Sequence, residues 1–195
     1  MKICVFNAKG GVGRTTLALN LAGCFAKQDP RKRVLVADCD DQGSALGWAK
    51  LAAQVSDVLA FTVGRSRSRG FDIEILDMGP SLPANFVLPS ADLYLCPTVL
   101  DGASFVAFLA TRQLLEKQGK PCLVVANRVN PRRAEHRDNL AHPSLVGAVR
   151  VRDRACLAAS YASGRTVFDM PGPHLLGAQE EISALAREIN CYKGT

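Results

Sequence analysis

No apolar run in this 195-residue sequence comes near the roughly 20 residues that a membrane-spanning helix needs, so no membrane span is expected. Met1 and Lys2 lead into only the short run Ile3 to Phe6 before a glycine-rich stretch, so the hydrophobic segment of a secretion signal is missing and a cytoplasmic location is expected. The seven cysteines, at 4, 24, 39, 96, 122, 156 and 191, form no C-x-x-C pair. Several lie inside apolar runs, where cysteine behaves as a small hydrophobe. A disulfide framework, a zinc site and an iron–sulfur site are therefore not expected. Histidine is scarce too: His136 and His142 lack a convincing set of metal partners and read as surface residues. No internal repeat and no linker composition interrupts the chain, so residues 1–195 read as one domain.

Basic charge, by contrast, is in surplus. The net charge is +6, and the excess is arginine-rich and late: Arg128, Arg132, Arg133, Arg137, Arg150, Arg152, Arg154 and Arg165. Such a balance favours a polyanionic partner. Short apolar runs alternate with helical patterns from end to end. Lys2–Phe6, Arg33–Ala37, Val58–Val63, Asp72–Leu76, Leu93–Cys96, Cys122–Ala126 and Leu145–Val149 read as strands. Most are continuously apolar, as parallel strands buried on both faces should be. Thr15–Lys27, Gly43–Ala53, Gly102–Lys117, Arg152–Ser163 and about Ala178–Asn190 read as helices, the last with Ile182, Leu185 and Ile189 on one side. The alternation predicts an α/β fold: a doubly wound, mostly parallel twisted sheet with helices on both faces. Arg65 to Gly70 reads as a solvated turn, and Asn130 to Pro143 as either a short exposed helix or a basic loop.

The strongest signal is the string Lys9-Gly10-Gly11-Val12-Gly13-Arg14-Thr15-Thr16, directly after the first strand and before a helical pattern. Glycines let the backbone curl so that successive N–H groups point at phosphate oxygens, and the helix start adds positive potential. Thr15 stands where a hydroxyl would bind a magnesium ion. Two features depart from the common phosphate-loop pattern: Ala8 holds the first glycine position, and Arg14 replaces the lysine that precedes the hydroxyl residue.

With Lys9 near its start, this string resembles the deviant Walker A motif of the ParA/MinD family of P-loop ATPases. Residues 34–48 (VLVADCDDQGSALGW) resemble that family's second motif, and residues 71–80 (FDIEILDMGP) its Walker B strand and switch II. Residues 92–101 (DLYLCPTVLD) are similar to the strand and loop after that switch, and residues 170–189 (MPGPHLLGAQEEISALAREI) to its closing segment. The resemblance implies an ATPase that uses ATP and Mg2+ and dimerises around the nucleotide. Gly10, Gly11, Val12, Gly13, Arg14, Thr15 and Thr16 would cradle the phosphates. Lys9 would reach the phosphates held by the other subunit. Asp40 would orient the attacking water, Asp38 would sit beside it near the magnesium, and Asp77 would hold the magnesium shell. Asn127 and Pro171 are the implied adenine contacts. Asp41 stands where the family usually has proline and adds a charge beside Asp40.

Among the family's subclasses, the first strand beginning at Met1 argues against an operator-reading domain, and the ending AREINCYKGT against a basic membrane-binding helix. The resemblance is then to the small ParA-like class. It implies a homodimer that binds nucleoid DNA without sequence preference through Arg150, Arg152 and Arg154. It also implies an adaptor protein that stimulates hydrolysis and links a cargo: a plasmid, a chromosome region or a compartment such as a carboxysome. A nucleotide-bound scaffold with little hydrolysis is the alternative, with Arg14 as its reason. A membrane-cycling regulator is a more distant third.

Overall fold

The computed structural model describes residues 1–56, 59–65, 70–81 and 87–192. Seven strands form one sheet: β1 (Lys2–Val5), β2 (Val34–Cys39), β3 (Thr62–Gly64), β4 (Ile73–Met78), β5 (Leu93–Val99), β6 (Cys122–Val129) and β7 (Val149–Arg152). Their order is β3-β2-β4-β1-β5-β6-β7, and every pairing is parallel. Among the described residues six helices connect and cover them: α1 (Arg14–Gln28), α2 (Ser44–Val55), α3 (Gly102–Lys117), α4 (Ala134–Leu140), α5 (Ala155–Ala162) and α6 (Leu176–Cys191). Short 3-10 turns precede β7 (Pro143–Leu145) and α6 (Pro173–Leu175).

The continuous apolar strands are explained by a core on each face. Ile3, Val5, Val36, Ile75 and Leu95 pack on one side with α1 and α6, while Cys4, Phe6, Leu35, Leu76 and Tyr94 pack on the other with Phe105 and Phe108 of α3. Helix α1 is buried almost all round from Leu17 to Ala26, which suits a helix lying between the sheet and a second helix. Ile182, Leu185 and Ile189 of α6 close that layer, fully buried as the spacing predicts. The chain runs from β1 outward to β3, returns through β4 and then crosses to β5. The strand order therefore reverses beside β1, and a crevice opens outside the carboxyl ends there, where open α/β sheets bind ligands.

The last strand and its neighbours lie elsewhere than the sequence predicts. Leu145 closes a 3-10 turn that begins at Pro143, and the strand starts only at Val149. The signal there is alternation: Val149 and Val151 face inward, and Arg150 and Arg152 are exposed, as on an edge strand paired on one side. Arg150 and Arg152 thus belong to β7, and the next helix begins at Ala155 rather than Arg152. The strand expected over Val58–Val63 is observed at Thr62–Gly64, and Val58 lies outside the described residues, as do 66–69 of the expected turn. The Asn130–Pro143 stretch contains α4, and His136 is buried there rather than exposed. Its Nδ1 accepts the Asn130 N–H at 3.0 Å, so the ring serves as an internal cap for the loop after β6.

Candidate nucleotide site

The loop between β1 and α1 takes its shape from two glycines in the left-handed region, Gly11 (φ 77°) and Gly13 (φ 89°). At Gly13 a side chain is also excluded by space, since a Cβ would lie 2.4 Å from Asn127 Nδ2. Helix α1 starts at Arg14 with no side-chain cap and no acidic residue in its first turn. Its leading N–H groups and the positive end of its dipole therefore face the crevice without a competing anion. They open into a cavity of about 350 Å³ whose walls include Gly11, Thr15, Thr16, Asp40, Arg128 and Tyr161.

Three strand ends hold this loop. Asn7, fully buried, donates from Nδ2 to the Pro97 carbonyl of β5 at 2.7 Å and accepts the Lys9 N–H at 2.9 Å. Asn127, two residues before the end of β6, donates to the Val12 carbonyl at 2.8 Å. Arg14 ties the loop to β4. Its Nε donates to the Met78 carbonyl at 2.7 Å, and its Nη1 to the carbonyls of Asn7, at 2.8 Å, and Lys9. Each such charge-assisted bond is worth roughly 1.5–3 kcal/mol. Burial pulls the Arg14 guanidinium below its ordinary pKa, opposed by the nearby Asp77 and Asp40.

Parallel register sets the carboxylates. Asp38 of β2 pairs with Asp77 of β4, which in turn pairs with Val5 just before the loop. Asp38 is buried and hydrogen-bonded, its oxygens accepting the Leu46 N–H of α2 at 2.9 Å and the Asp40 N–H at 3.1 Å. Asp77 is completely buried, and among the described residues neither of its oxygens has a hydrogen-bond partner. Burial pushes its pKa up to about 7, with Asp38 and Asp40 adding to the rise. The Thr15 hydroxyl and the Arg14 guanidinium act the other way, although Thr15 makes no hydrogen bond with either oxygen. Asp40 lies at the rim, where its Oδ1 accepts the Gln42 N–H at 3.0 Å and leaves only 3.2 Å to the place of a Cβ on Gly79. Asp41 is exposed.

These residues fit a magnesium ion. A buried carboxylate with two orphaned oxygens costs several kcal/mol unless a cation meets it. The Thr15 hydroxyl and Asp38 supply hard oxygen donors of the kind Mg2+ takes.

Lys9 is exposed and is not among the residues lining its own chain's phosphate cavity. Among the described residues no ion pair holds its ammonium. A second cavity, of about 120 Å³, adjoins the first and shares Gly13, Thr16 and Arg128 with it, with Asn127, Arg152 and Arg154 in its wall. Pro171 is exposed and lines neither cavity. Arg154 is engaged by Glu181 of α6 through two bonds, at 2.7 and 3.2 Å. The side chain of Arg152 approaches the same carboxylate only to 3.9 Å and is 64% exposed.

Sequence reasoning missed three participants. Asn7 could have been suspected, since it sits directly between the first strand and the glycines. Arg128 and Tyr161 could not. Tyr161 comes from α5, where its hydroxyl donates to the Ser44 carbonyl at 3.0 Å and its pKa is raised by burial and by the Asp77 and Asp38 charges. Arg128 has a left-handed backbone, at φ 52°, and lines both cavities.

A seven-stranded parallel sheet carrying a glycine loop, a helix N-terminus and a buried strand-end aspartate defines a P-loop nucleotide-binding protein. Residues 3–167 match the CobQ/CobB/MinD/ParA nucleotide binding domain, and the chain belongs to that family. It is similar to the maintenance of carboxysome distribution protein A of Gloeobacter kilaueensis, at 27% identity over 96% of this chain and 93% of that protein. Among solved structures, the MinD cell division protein of Aquifex aeolicus superposes with a TM-score of 0.74 at 20% identity, covering 100% of this chain and 98% of that one. An ATP complex of McdA from Cyanothece does so with a TM-score of 0.75 at 13% identity, covering 100% of this chain and 97% of that one. Among the described residues no helix is long and apolar enough to cross a membrane.

Proposed function

We propose that the protein is an ATPase that dimerises on ATP and Mg2+, binds nucleoid DNA without sequence preference and positions or partitions a cargo. The observation that carries the nucleotide part is Asp77, a fully buried carboxylate with both oxygens unpartnered beside Thr15 at the foot of the phosphate loop. When bound with the nucleotide, Mg2+ neutralises part of the triphosphate charge and fixes its orientation. Thr15, Asp38 and Asp77 are the residues that would hold it. The backbone N–H groups of Gly10 to Thr16 bind the phosphates, and Asn127 and Pro171 are the adenine contacts that the family resemblance supports. Asp40, at the open rim near Gly79, takes the role of orienting the attacking water.

Lys9 completes a site in a second copy. Its exposure and its place outside its own cavity support that reading. Arg150 and Arg152, exposed on the edge strand, offer cations to DNA phosphates, with Arg154 behind them in its ion pair. An adaptor protein would stimulate hydrolysis and link the cargo, and the likeness to a carboxysome distribution protein supports a protein compartment among the candidates. The test is analytical ultracentrifugation with ATP or ADP, in Mg2+ or EDTA. Dimers form with Mg2+ and ATP alone, and Lys9→Ala stays monomeric while still binding ATP. A Lys9→Ala protein that dimerises like wild type would remove the shared-site dimer.

One observation favours the scaffold with little hydrolysis as a second reading. Three of the five Arg14 N–H donors are spent on backbone carbonyls, which leaves little of the fork for a transferring phosphoryl group. Phosphate release measured with and without DNA separates the two readings.

A further inference from the structure

The negative charge of a nucleoside triphosphate calls for a cation beside the backbone N–H groups of a phosphate loop, and two arginines line the phosphate cavity in opposite situations. Arg14 is only 8% exposed, and its Nε and Nη1 bind the carbonyls of Met78, Asn7 and Lys9. Only its Nη2 group is left for a ligand, and swinging the fork outward would strip three carbonyls of charge-assisted bonds.

Arg128 is exposed, and among the described residues no hydrogen bond or ion pair holds its guanidinium. It lines both the phosphate cavity and the smaller cavity beside it. Its φ of 52° is the one left-handed value among the described non-glycine residues. Long side chains adopt that conformation at a cost, and such strain gathers at functional sites. The register of β6 against β7 shifts between Ala126 and Val129, which makes room for the irregular residue. A regular strand would send the side chain off one face of the sheet. The left-handed turn instead sets it at the wall that the two cavities share.

We propose that Arg128, rather than Arg14, supplies the positive charge with which this subunit binds its own nucleotide's phosphates, and that Arg14 is a strap holding the loop to the end of β4. This rests on the nucleotide-binding reading above. The test is calorimetric titration of ATP, ADP and AMP in Mg2+ into wild type, Arg128→Asn and Arg128→Lys, with a melting curve for each protein. Asparagine tolerates the left-handed region, so Arg128→Asn keeps the backbone while removing the cation. Its ATP affinity falls by about tenfold to a hundredfold, the loss expected for one charge-assisted contact. The loss shrinks from ATP to ADP to AMP, Arg128→Lys recovers most of it, and the Arg128→Asn melting temperature stays level or rises. Arg128→Asn binding ATP like wild type overturns the proposal. So does an equal loss for all three nucleotides without rescue by lysine, which would make Arg128 a base or packing contact. Wild type that binds no ATP overturns the nucleotide reading itself, and this proposal with it.

Discussion

Asp38 and Asp77 are register partners on adjacent strands, both buried, yet only Asp38 has its oxygens hydrogen-bonded. The difference lies in the path the chain takes beyond each strand. After β2 it turns back at Asp40 and starts α2, which brings the N–H groups of Asp40 and Leu46 onto Asp38. After β4 it leads into Gly79 and Pro80, and among the described residues no donor returns to Asp77. One carboxylate is oriented by the fold and keeps a lone pair on each oxygen, and the other has both oxygens wholly open to a ligand.

Asp77→Asn should therefore stabilise the nucleotide-free protein while abolishing Mg2+-dependent ATP binding. The folded-state pKa of Asp77, about 7, lies above the ordinary 3.8, so the group favours the fold only when protonated. Its contribution is fully present below pH 3.8 and lost as the pH rises through about 7. At pH 8 the variant should gain roughly 2 kcal/mol, or about 4–8 °C in melting temperature, and near pH 4 the gain should vanish. Thermal melts across that range, in EDTA, decide it. A variant less stable than wild type at pH 8 would show that the carboxylate has a partner after all.

Asp40→Ala should retain ATP binding and ATP-driven dimerisation but stall turnover. Among the described residues the Asp40 side chain accepts only the Gln42 N–H, and its backbone bonds to Gly43 and Asp38 survive the substitution, so its loss leaves the phosphate loop and Asp77 in place. Steady-state phosphate release beside a nucleotide titration separates the two effects, and undiminished release would pass the role to Asp38.

Arg14→Lys should lower stability by about 1–3 kcal/mol, because lysine cannot bind three carbonyls with a planar fork. The same change frees a compact ammonium for the phosphates, so turnover should rise while the melting temperature falls. Phosphate release and thermal melts on one preparation test both. A more stable variant would contradict the strap.

Arg152→Glu and Arg150→Glu should weaken binding to duplex DNA whatever its sequence, and reduce its salt dependence, without affecting ATP-driven dimerisation. Arg154→Glu should instead harm folding, since it places a second acid against Glu181 where the native pair is half-buried. Two copies on one rigid dimer multiply weak contacts, so ADP-bound protein should bind poorly. Fluorescence anisotropy on two unrelated duplexes at two salt concentrations is the measurement. No binding by a demonstrably ATP-dimerised protein would end the DNA reading.

Local chemistry is enough to read the phosphate loop, the alternating architecture and the buried face of α6. Glycines with positive φ, continuous apolar strands and the spacing of Ile182, Leu185 and Ile189 act within a few residues of where they are written. Edge-strand β7 misleads because a half-exposed strand alternates, and its two arginines look like a helix start. His136 misleads because its burial depends on a backbone N–H six residues earlier, brought to it by the turn after β6.

The atoms that could meet a phosphate and a metal are legible along the chain: a loop of free N–H groups, a hydroxyl and strand-end carboxylates in order. Which of them already have partners is set by the packing of the folded chain. Asp38 is oriented by N–H groups of Asp40 and α2, with acceptor capacity left on its oxygens, and Arg14 is tied to carbonyls at the ends of β1 and β4, whereas among the described residues Asp77 and Arg128 have no hydrogen-bond partner for their charged groups. That division depends on strand register and on how each strand ends. Both come from packing residues far apart in the chain, so no local pattern carries them.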